Sequence, residues 1–332
     1  MPSFVCRLGL GYTVNSLKNR WTDPIMNTAL ELREVTKLYG DFRAVDALSL
    51  VVPTGCVCGF LGPNGAGKTT TLRMILGIIE PSTGSISILG KPSAMHVRAR
   101  VGYLPEEKGL YRKMKAVDLI SYFATLKGLS RRHADERALN LLNRYGLGAF
   151  AQTKAEALSK GMSQKVQVLA SIAHDPEFVI LDEPFSGLDP VNQGVLEEII
   201  MDLRARGRTV LLSTHVMQHA ERLCDRLIIL AGGRSVFDGT LAEARAEVPA
   251  TVRLKSLDSL EGLRDLACIR GFKALAEGGW ELELSAGTDP QVLLEACFVR
   301  RIQLSQFHAT ETTLHDVFVK KVGLGAREAV CR

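Results

Sequence analysis

One octapeptide constrains this chain more than any other stretch: Gly62-Pro63-Asn64-Gly65-Ala66-Gly67-Lys68-Thr69. It follows a continuous apolar run, Gly55 to Leu61, that reads as a buried strand. It opens Lys68 to Gly77, a segment whose Leu72, Ile75, Leu76 and, just beyond it, Ile79 fall at helical spacing. Strand, glycine-rich loop and helix in that order form a cradle for phosphate. The glycines let backbone N–H groups converge on one anion, the helix N-terminus adds partial positive charge, and Lys68 neutralises phosphate oxygens. Thr69 offers its hydroxyl to Mg²⁺. A loop that only turned the chain would have no need of Lys and Thr at these two positions.

The rest of the chain organises around that unit. At 332 residues it exceeds one typical domain. A strand-like alternation begins at Leu30, turns at Tyr39 to Asp41, and returns as a second short strand near Leu48 to Val52, an antiparallel prelude. Helical patterns, such as Val117 to Leu126 and Ala134 to Tyr145, dominate from about residue 106 to 174. Phe178 to Leu181 and Thr209 to Ser213 are strand-length apolar or β-branched runs separated by a helix from about Val191 to Arg206, which predicts a parallel crossover. After Gly239 the character changes to short alternating segments, Thr251 to Lys255 and Trp280 to Leu284, with helices near Gln291 to Val299 and Thr313 to Val322. The expected division is therefore a main domain over 28–240, a small α+β domain over 241–323 and a tail over 324–332. Residues 1–27 form an extension of open status, lacking the long apolar core and small-residue cleavage site of a signal peptide. Two readings stand for it: translation begins at Met26, or a disordered arm precedes the first strand.

Composition removes whole classes. With 46% apolar and 23% charged residues the chain is globular, neither fibrous nor disordered. Its net charge of +5 comes from scattered basic residues, with Arg131-Arg132, Arg300-Arg301 and Lys320-Lys321 the densest pairs. That is a solvated surface, so no nucleic-acid partner is expected. No run approaches the roughly 18 consecutive apolar residues of a membrane-spanning helix. The seven cysteines fall in no zinc spacing, and Cys56 and Cys58 share one strand face, as free thiols in a reducing compartment do.

Further motifs follow in order. Phe178 to Leu181 ends in Asp182-Glu183; Asp182 can hold Mg²⁺, and Glu183 can polarise an attacking water. Ser186-Gly187-Leu188-Asp189 comes next, and Ser213-Thr214-His215 closes the following strand, setting an imidazole at the edge where a γ-phosphate would sit. Leu158-Ser159-Lys160-Gly161-Met162-Ser163-Gln164-Lys165 lies about ninety residues after Lys68. With that segment in place, the chain from about Leu30 to Gly239 resembles the ATP-binding subunits of ABC transporters.

The resemblance implies an α/β fold: a P-loop NTPase core with an antiparallel β subdomain and an inserted helical subdomain, followed by the small C-terminal α+β domain. It implies ATP hydrolysis with ATP and Mg²⁺ as cofactors, at the cytoplasmic face of a membrane. The partners implied are a membrane-spanning permease on another chain and a second ATP-binding subunit. By matching positions, Tyr39 would stack on adenine with Val45 nearby. Gly62, Pro63, Asn64, Gly65, Ala66, Gly67, Lys68, Thr69 and Thr70 would bind phosphate, and Thr69 and Asp182 would bind Mg²⁺. Glu183 would be the general base and His215 the γ-phosphate sensor. Ser159 and Gly161 would reach the nucleotide of the opposite subunit, and Asp189 would bridge the two. The region from Leu104 to Phe123 would carry the docking surface for the permease.

Three departures from the family pattern stand out. After a Tyr103-Leu104-Pro105 turn the family usually has Gln, and here Glu106 would touch Mg²⁺ or its water. Lys160 and Met162 stand where Gly and Gln are commoner, a variant similar to the export-type branch of sodium, drug and antibiotic efflux ATPases. The tail from about Leu241 to Gly323 is similar to the accessory domain of such subunits, with Trp280 and Phe298 expected in its core. The competing class is an ABC-type ATPase acting on ribosomes or damaged DNA. Its paired cassettes or long coiled coil are not seen here.

Overall fold

A computed structural model describes residues 28–330 except Lys108, Leu110, Ala276, Glu277, Ala286 and Glu311. The extension over 1–27 lies outside the described residues. The main domain opens with β1 (Thr28–Tyr39), β2 (Phe42–Pro53), β3 (Val57–Leu61), α1 (Lys68–Ile75), β4 (Thr83–Ile88) and β5 (Val101–Leu104). The helical insert follows as α2 (Ala116–Leu126), α3 (Arg131–Arg144) and α4 (Lys160–Ile172). The chain then returns through β6 (Phe178–Asp182), α5 (Pro190–Ala205), β7 (Thr209–Thr214), α6 (Met217–Leu223), β8 (Arg226–Ala231) and β9 (Arg234–Gly239). The last part comprises α7 (Leu241–Ala246), β10 (Thr251–Ser256), β11 (Ile269–Ala274), β12 (Trp280–Leu284), α8 (Pro290–Val299), β13 (Leu304–Thr310) and α9 (Leu314–Val330).

Three sheets organise these elements. β2, β1 and β4 form an antiparallel sheet in that order, and β11-β12-β10-β13 a second antiparallel one. The main sheet runs β5-β6-β7-β3-β8-β9, parallel except for β9 at its edge. Strands β3, β6 and β7 read as unbroken apolar runs because both faces of the sheet are covered: every residue of all three is buried. One face packs on the helical insert through Val57, Val179, Leu181, Val210 and Leu212. The other packs on the antiparallel sheet and α1 through Cys58, Phe60, Phe178, Ile180 and Leu211. The parallel register pairs Phe60 with Ser213 and Asp182 with Ser213, so β3, β6 and β7 end level with one another. Ligands of open α/β sheets bind at such carboxyl ends.

The structure differs from expectation in places. The second strand begins at Phe42 and not near Leu48. The Tyr103-Leu104-Pro105 stretch is not a turn up to Leu104; it is the end of β5, paired in parallel with β6. In the small domain Trp280 packs with the core and against Phe272, ring centroids 4.8 Å apart. Phe298, expected in that core, is 73% exposed. Helix α8 meets the sheet through Leu293 and Cys297, four residues apart, and the next position rotates away from it.

Helix α9 runs to Val330 and packs back on the main domain, where Leu314 and Val317 join Leu61, Met217, Leu227 and Ile229. Glu221 of α6 fastens it: its carboxylate accepts from the backbone N–H of Leu314 at 2.6 Å and from Arg245 at 3.3 Å. Glu221→Ala is therefore expected to cost about 1–2 kcal/mol, the loss of a helix-terminus cap with a charged partner. A lowered melting temperature and faster proteolytic loss of α9 would be the readouts.

Candidate active site

The loop leaving β3 has no room for side chains at two of its glycines. A Cβ on Gly62 would lie 2.8 Å from the Leu230 carbonyl oxygen. At Gly67, which caps α1 with φ +97°, it would lie 2.6 Å from that of Ala44. Ala66 and Val45 are nearly sealed, 3% and 1% exposed, and support the loop from below. The Lys68 ammonium donates back to the carbonyls of Gly62 at 2.6 Å and Pro63 at 3.2 Å. Burial pulls its pKa down, while Glu183, Asp182 and Glu106 pull it up.

The facing wall comes from β6 and β7. Asp182 is 2% exposed, and burial raises its carboxyl pKa; the Ser213 hydroxyl opposes that, and Glu106 and Glu183 reinforce it. Glu183 has φ +47°, an uncommon conformation for a residue with a side chain, and its N–H donates to the Ser213 carbonyl at 3.0 Å. That turn takes its side chain out of the strand alternation, where Oε2 meets His215 Nδ1 at 2.9 Å. Together these groups bound a cavity of about 470 Å³, lined by Pro63, Asn64, Gly65, Gly67, Lys68, Thr69, Thr70, Glu106, Asp182, Glu183 and His215.

The remaining sequence candidates sit elsewhere. Tyr39 does not line the cavity; it is half-exposed, with the Lys37 ammonium 5.4 Å from its ring centre. Phe42, its partner across the β1–β2 turn, does line the cavity. The aromatic pair around Gly40 was the available signal, and of the two it is Phe42, itself 65% exposed, that borders the cavity. Ser159, Gly161 and Asp189 also lie off the cavity wall. The Ser159 hydroxyl caps α4 by accepting from Met162 N–H at 3.2 Å, and Asp189 caps α5 by accepting from Asn192 N–H at 3.0 Å. A Cβ on Gly161 would fall 2.3 Å from Asn192 Nδ2, so the two helix starts are in contact. Sequence reasoning missed Gln164, buried on α4, whose amide donates to the Pro184 carbonyl at 2.9 Å and ties that helix to the turn after Glu183.

Among the described residues no three His, Cys, Asp or Glu side chains converge closely enough to hold a metal ion unaided. Glu106, Asp182 and Glu183 nonetheless face one ammonium across the cavity. That excess of negative charge, with the Thr69 hydroxyl on the wall, fits a divalent cation sharing its ligands with phosphate.

A phosphate cradle at the carboxyl edge of a parallel sheet, opposed by two acids and an imidazole, defines a P-loop nucleoside-triphosphatase. Residues 45–186 match the family model described as ABC transporter. Residues 239–322 match that of the ATP-binding protein DrrA1-3-like, C-terminal domain. An uncharacterized ABC transporter ATP-binding protein of Bacillus subtilis, YhaQ, is 42% identical over 295 residues, 89% of this chain and 98% of that protein. Nod factor export ATP-binding protein I of Cupriavidus metallidurans is 39% identical over 244 residues, 72% of this chain and 80% of that one. Among solved structures, an ATP binding subunit of an ABC transporter aligns with a TM-score of 0.61 at 35% identity, covering 66% of this chain and 92% of that one. A dimeric ATP-binding cassette in a post-hydrolysis state bound to ADP and Pi aligns with a TM-score of 0.59 at 25% identity, covering 64% and 98%. The chain belongs to the ATP-binding proteins of ABC transporters, whose ATP-binding domains hydrolyse ATP.

Proposed function

We propose that this chain powers an exporter, two copies or two related cassettes closing on ATP and pulling on membrane-spanning partner subunits. The observation that carries the reading is the split of the site. Lys68, Thr69, Asp182, Glu183 and His215 surround one cavity, whereas Ser159, Gly161 and Asp189 gather away from it. A second cassette placed head to tail would bring its own Ser159 and Gly161 to the open side of this cavity, with Asp189 between the subunits. Phe42 is the better platform for the adenine ring, being the aromatic on the wall. Thr69 and Asp182 would hold Mg²⁺, with Glu106 beside them, and the ion would offset phosphate charge. Glu183 would take the proton of the attacking water while His215 holds the carboxylate and meets the γ-phosphate.

Among the described residues no helix is long and apolar enough to cross a membrane, which agrees with spanning segments carried on another chain. Tyr111, Tyr122 and Phe123 cluster on the helical insert, with Tyr111 54% exposed, and supply an aromatic patch for that partner. Export is favoured by the tail's likeness to the DrrA-like domain and by relatives named for Nod factor export. The test is affinity purification of the tagged chain from membranes with ATP present, followed by identification of co-purifying chains. A multi-span membrane protein is the expected companion. Ribosomes or DNA-repair factors in its place would overturn the transport reading and leave the ATPase intact.

A further inference from the structure

Beyond the backbone pairing of β6 with β7, the segments carrying Glu183 and His215 meet through side chains at two points, and only the first belongs to the cavity. His215 and His219 stand four residues apart across the start of α6, while Glu183 and Phe185 stand two apart after β6. His215 Nδ1 meets Glu183 Oε2 at 2.9 Å. His219 lies flat on Phe185, ring centroids 3.9 Å apart and planes inclined by 9°, and each of these two residues is 4% exposed. The free edge of the His219 ring is also tied: Nδ1 is 3.2 Å from Glu197 Oε1 on α5, and the same carboxylate takes the Arg222 guanidinium. Helix α5 begins at Asp189, so one imidazole connects the three segments that hold Glu183, Asp189 and His215.

Packing alone does not account for a histidine here. An apolar ring would fill the same space without burying a polar group that must then be satisfied. Burial lowers the His219 pKa and favours the neutral ring, in which Nδ1–H donates to Glu197 and the flat face is presented to Phe185. A polar group hydrogen-bonded inside a core fixes orientation more tightly than apolar contact does. Orientation is what the neighbouring turn requires, because the φ of +47° at Glu183 persists only where the surroundings enforce it.

We propose that His219 is a positioning residue for ATP hydrolysis: gripped by Glu197 and stacked on Phe185, it sets the turn that aims Glu183 at the attacking water. The proposal rests on Glu183 being the general base. His219 itself is not on the cavity wall, so its removal acts on turnover and leaves nucleotide binding alone. In the full chain, His219→Ala is expected to lower kcat by about tenfold, with KM for ATP within about twofold of wild type, as displacement of a reacting group does. His219→Phe, which can rebuild the stack but cannot hydrogen-bond Glu197, is expected to restore the melting temperature while recovering only part of that rate. Phe185→Leu is expected to add little to His219→Ala, because both break the same contact. An unchanged kcat in His219→Ala overturns the proposal. So does a joint loss of kcat and ATP affinity with a lower melting temperature that His219→Phe leaves unrepaired. Glu183→Gln, measured alongside, separates the two ideas: if it is inactive while His219→Ala runs at full rate, only the positioning role falls. If Glu183→Gln itself turns over normally, the base assignment falls first.

Discussion

Glu183→Gln is expected to cut ATP turnover by about 10²- to 10³-fold while ATP binding stays intact or tightens. The amide keeps the size of the side chain and can still hydrogen-bond His215, but it cannot accept a proton from water. It also removes one of the carboxylates that crowd the cavity with Asp182 and Glu106, so the anionic phosphates of ATP meet less repulsion. Phosphate release measures the first effect. Size-exclusion in ATP measures the second, as a shift toward the dimer that the proposed head-to-tail closure would trap. Wild-type turnover in the glutamine variant would assign the base elsewhere, with His215 the next group to test.

Much of the fold was legible because the parallel strands are buried on both faces, which writes continuous apolar runs into Val57–Leu61, Phe178–Leu181 and Thr209–Ser213. Strands that escaped notice are short, mixed or at an edge. β4, Thr-Gly-Ser-Ile-Ser-Ile, is half polar and exposed for its first three residues, and β13 keeps no residue fully buried. β5 spans four residues and runs into Pro105, so its sequence resembles a turn more than a strand. Phe298 misled for the opposite reason. It is apolar within an apolar segment, and only the helical phase set by Leu293 and Cys297 places it outside.

The site was legible to the same extent that it is contiguous. Loop 62–70 and the Asp182-Glu183 and Thr214-His215 pairs are local patterns whose chemistry depends on residue type, and the sheet brings them level. Phe42, Gln164 and His219 could not be found that way. Each meets a partner set by tertiary structure: Gln164 a carbonyl twenty residues ahead, His219 a ring thirty-four residues behind, and Phe42 a cavity walled mainly by residues 63–70 and the ends of β6 and β7. Such residues look like ordinary surface or core until the turn after Glu183 is placed.

Lys68→Met should separate binding from stability. In the wild type the Lys68 ammonium lies near Glu183, Asp182 and Glu106 and is held by the Gly62 and Pro63 carbonyls until phosphate arrives. The methionine keeps most of the volume and removes the charge that would neutralise the β and γ oxygens, so ATP affinity is expected to fall by about a hundredfold. Unfolding should not follow the same course. Burial lowers the Lys68 pKa, which means folding favours its neutral form and the charged form carries a cost at neutral pH. The sign follows: a group depressed in this way opposes folding below its folded pKa, so removing it leaves the nucleotide-free protein as stable as wild type or more so. Titration with a fluorescent ATP analogue and thermal melts with and without ATP read the two effects separately. Loss of the ATP-dependent rise in melting temperature, with the nucleotide-free melt unchanged or raised, is the expected pair. Undiminished ATP affinity would mean that the loop amides and Mg²⁺ carry the phosphate without the ammonium, and that Lys68 serves the loop carbonyls instead.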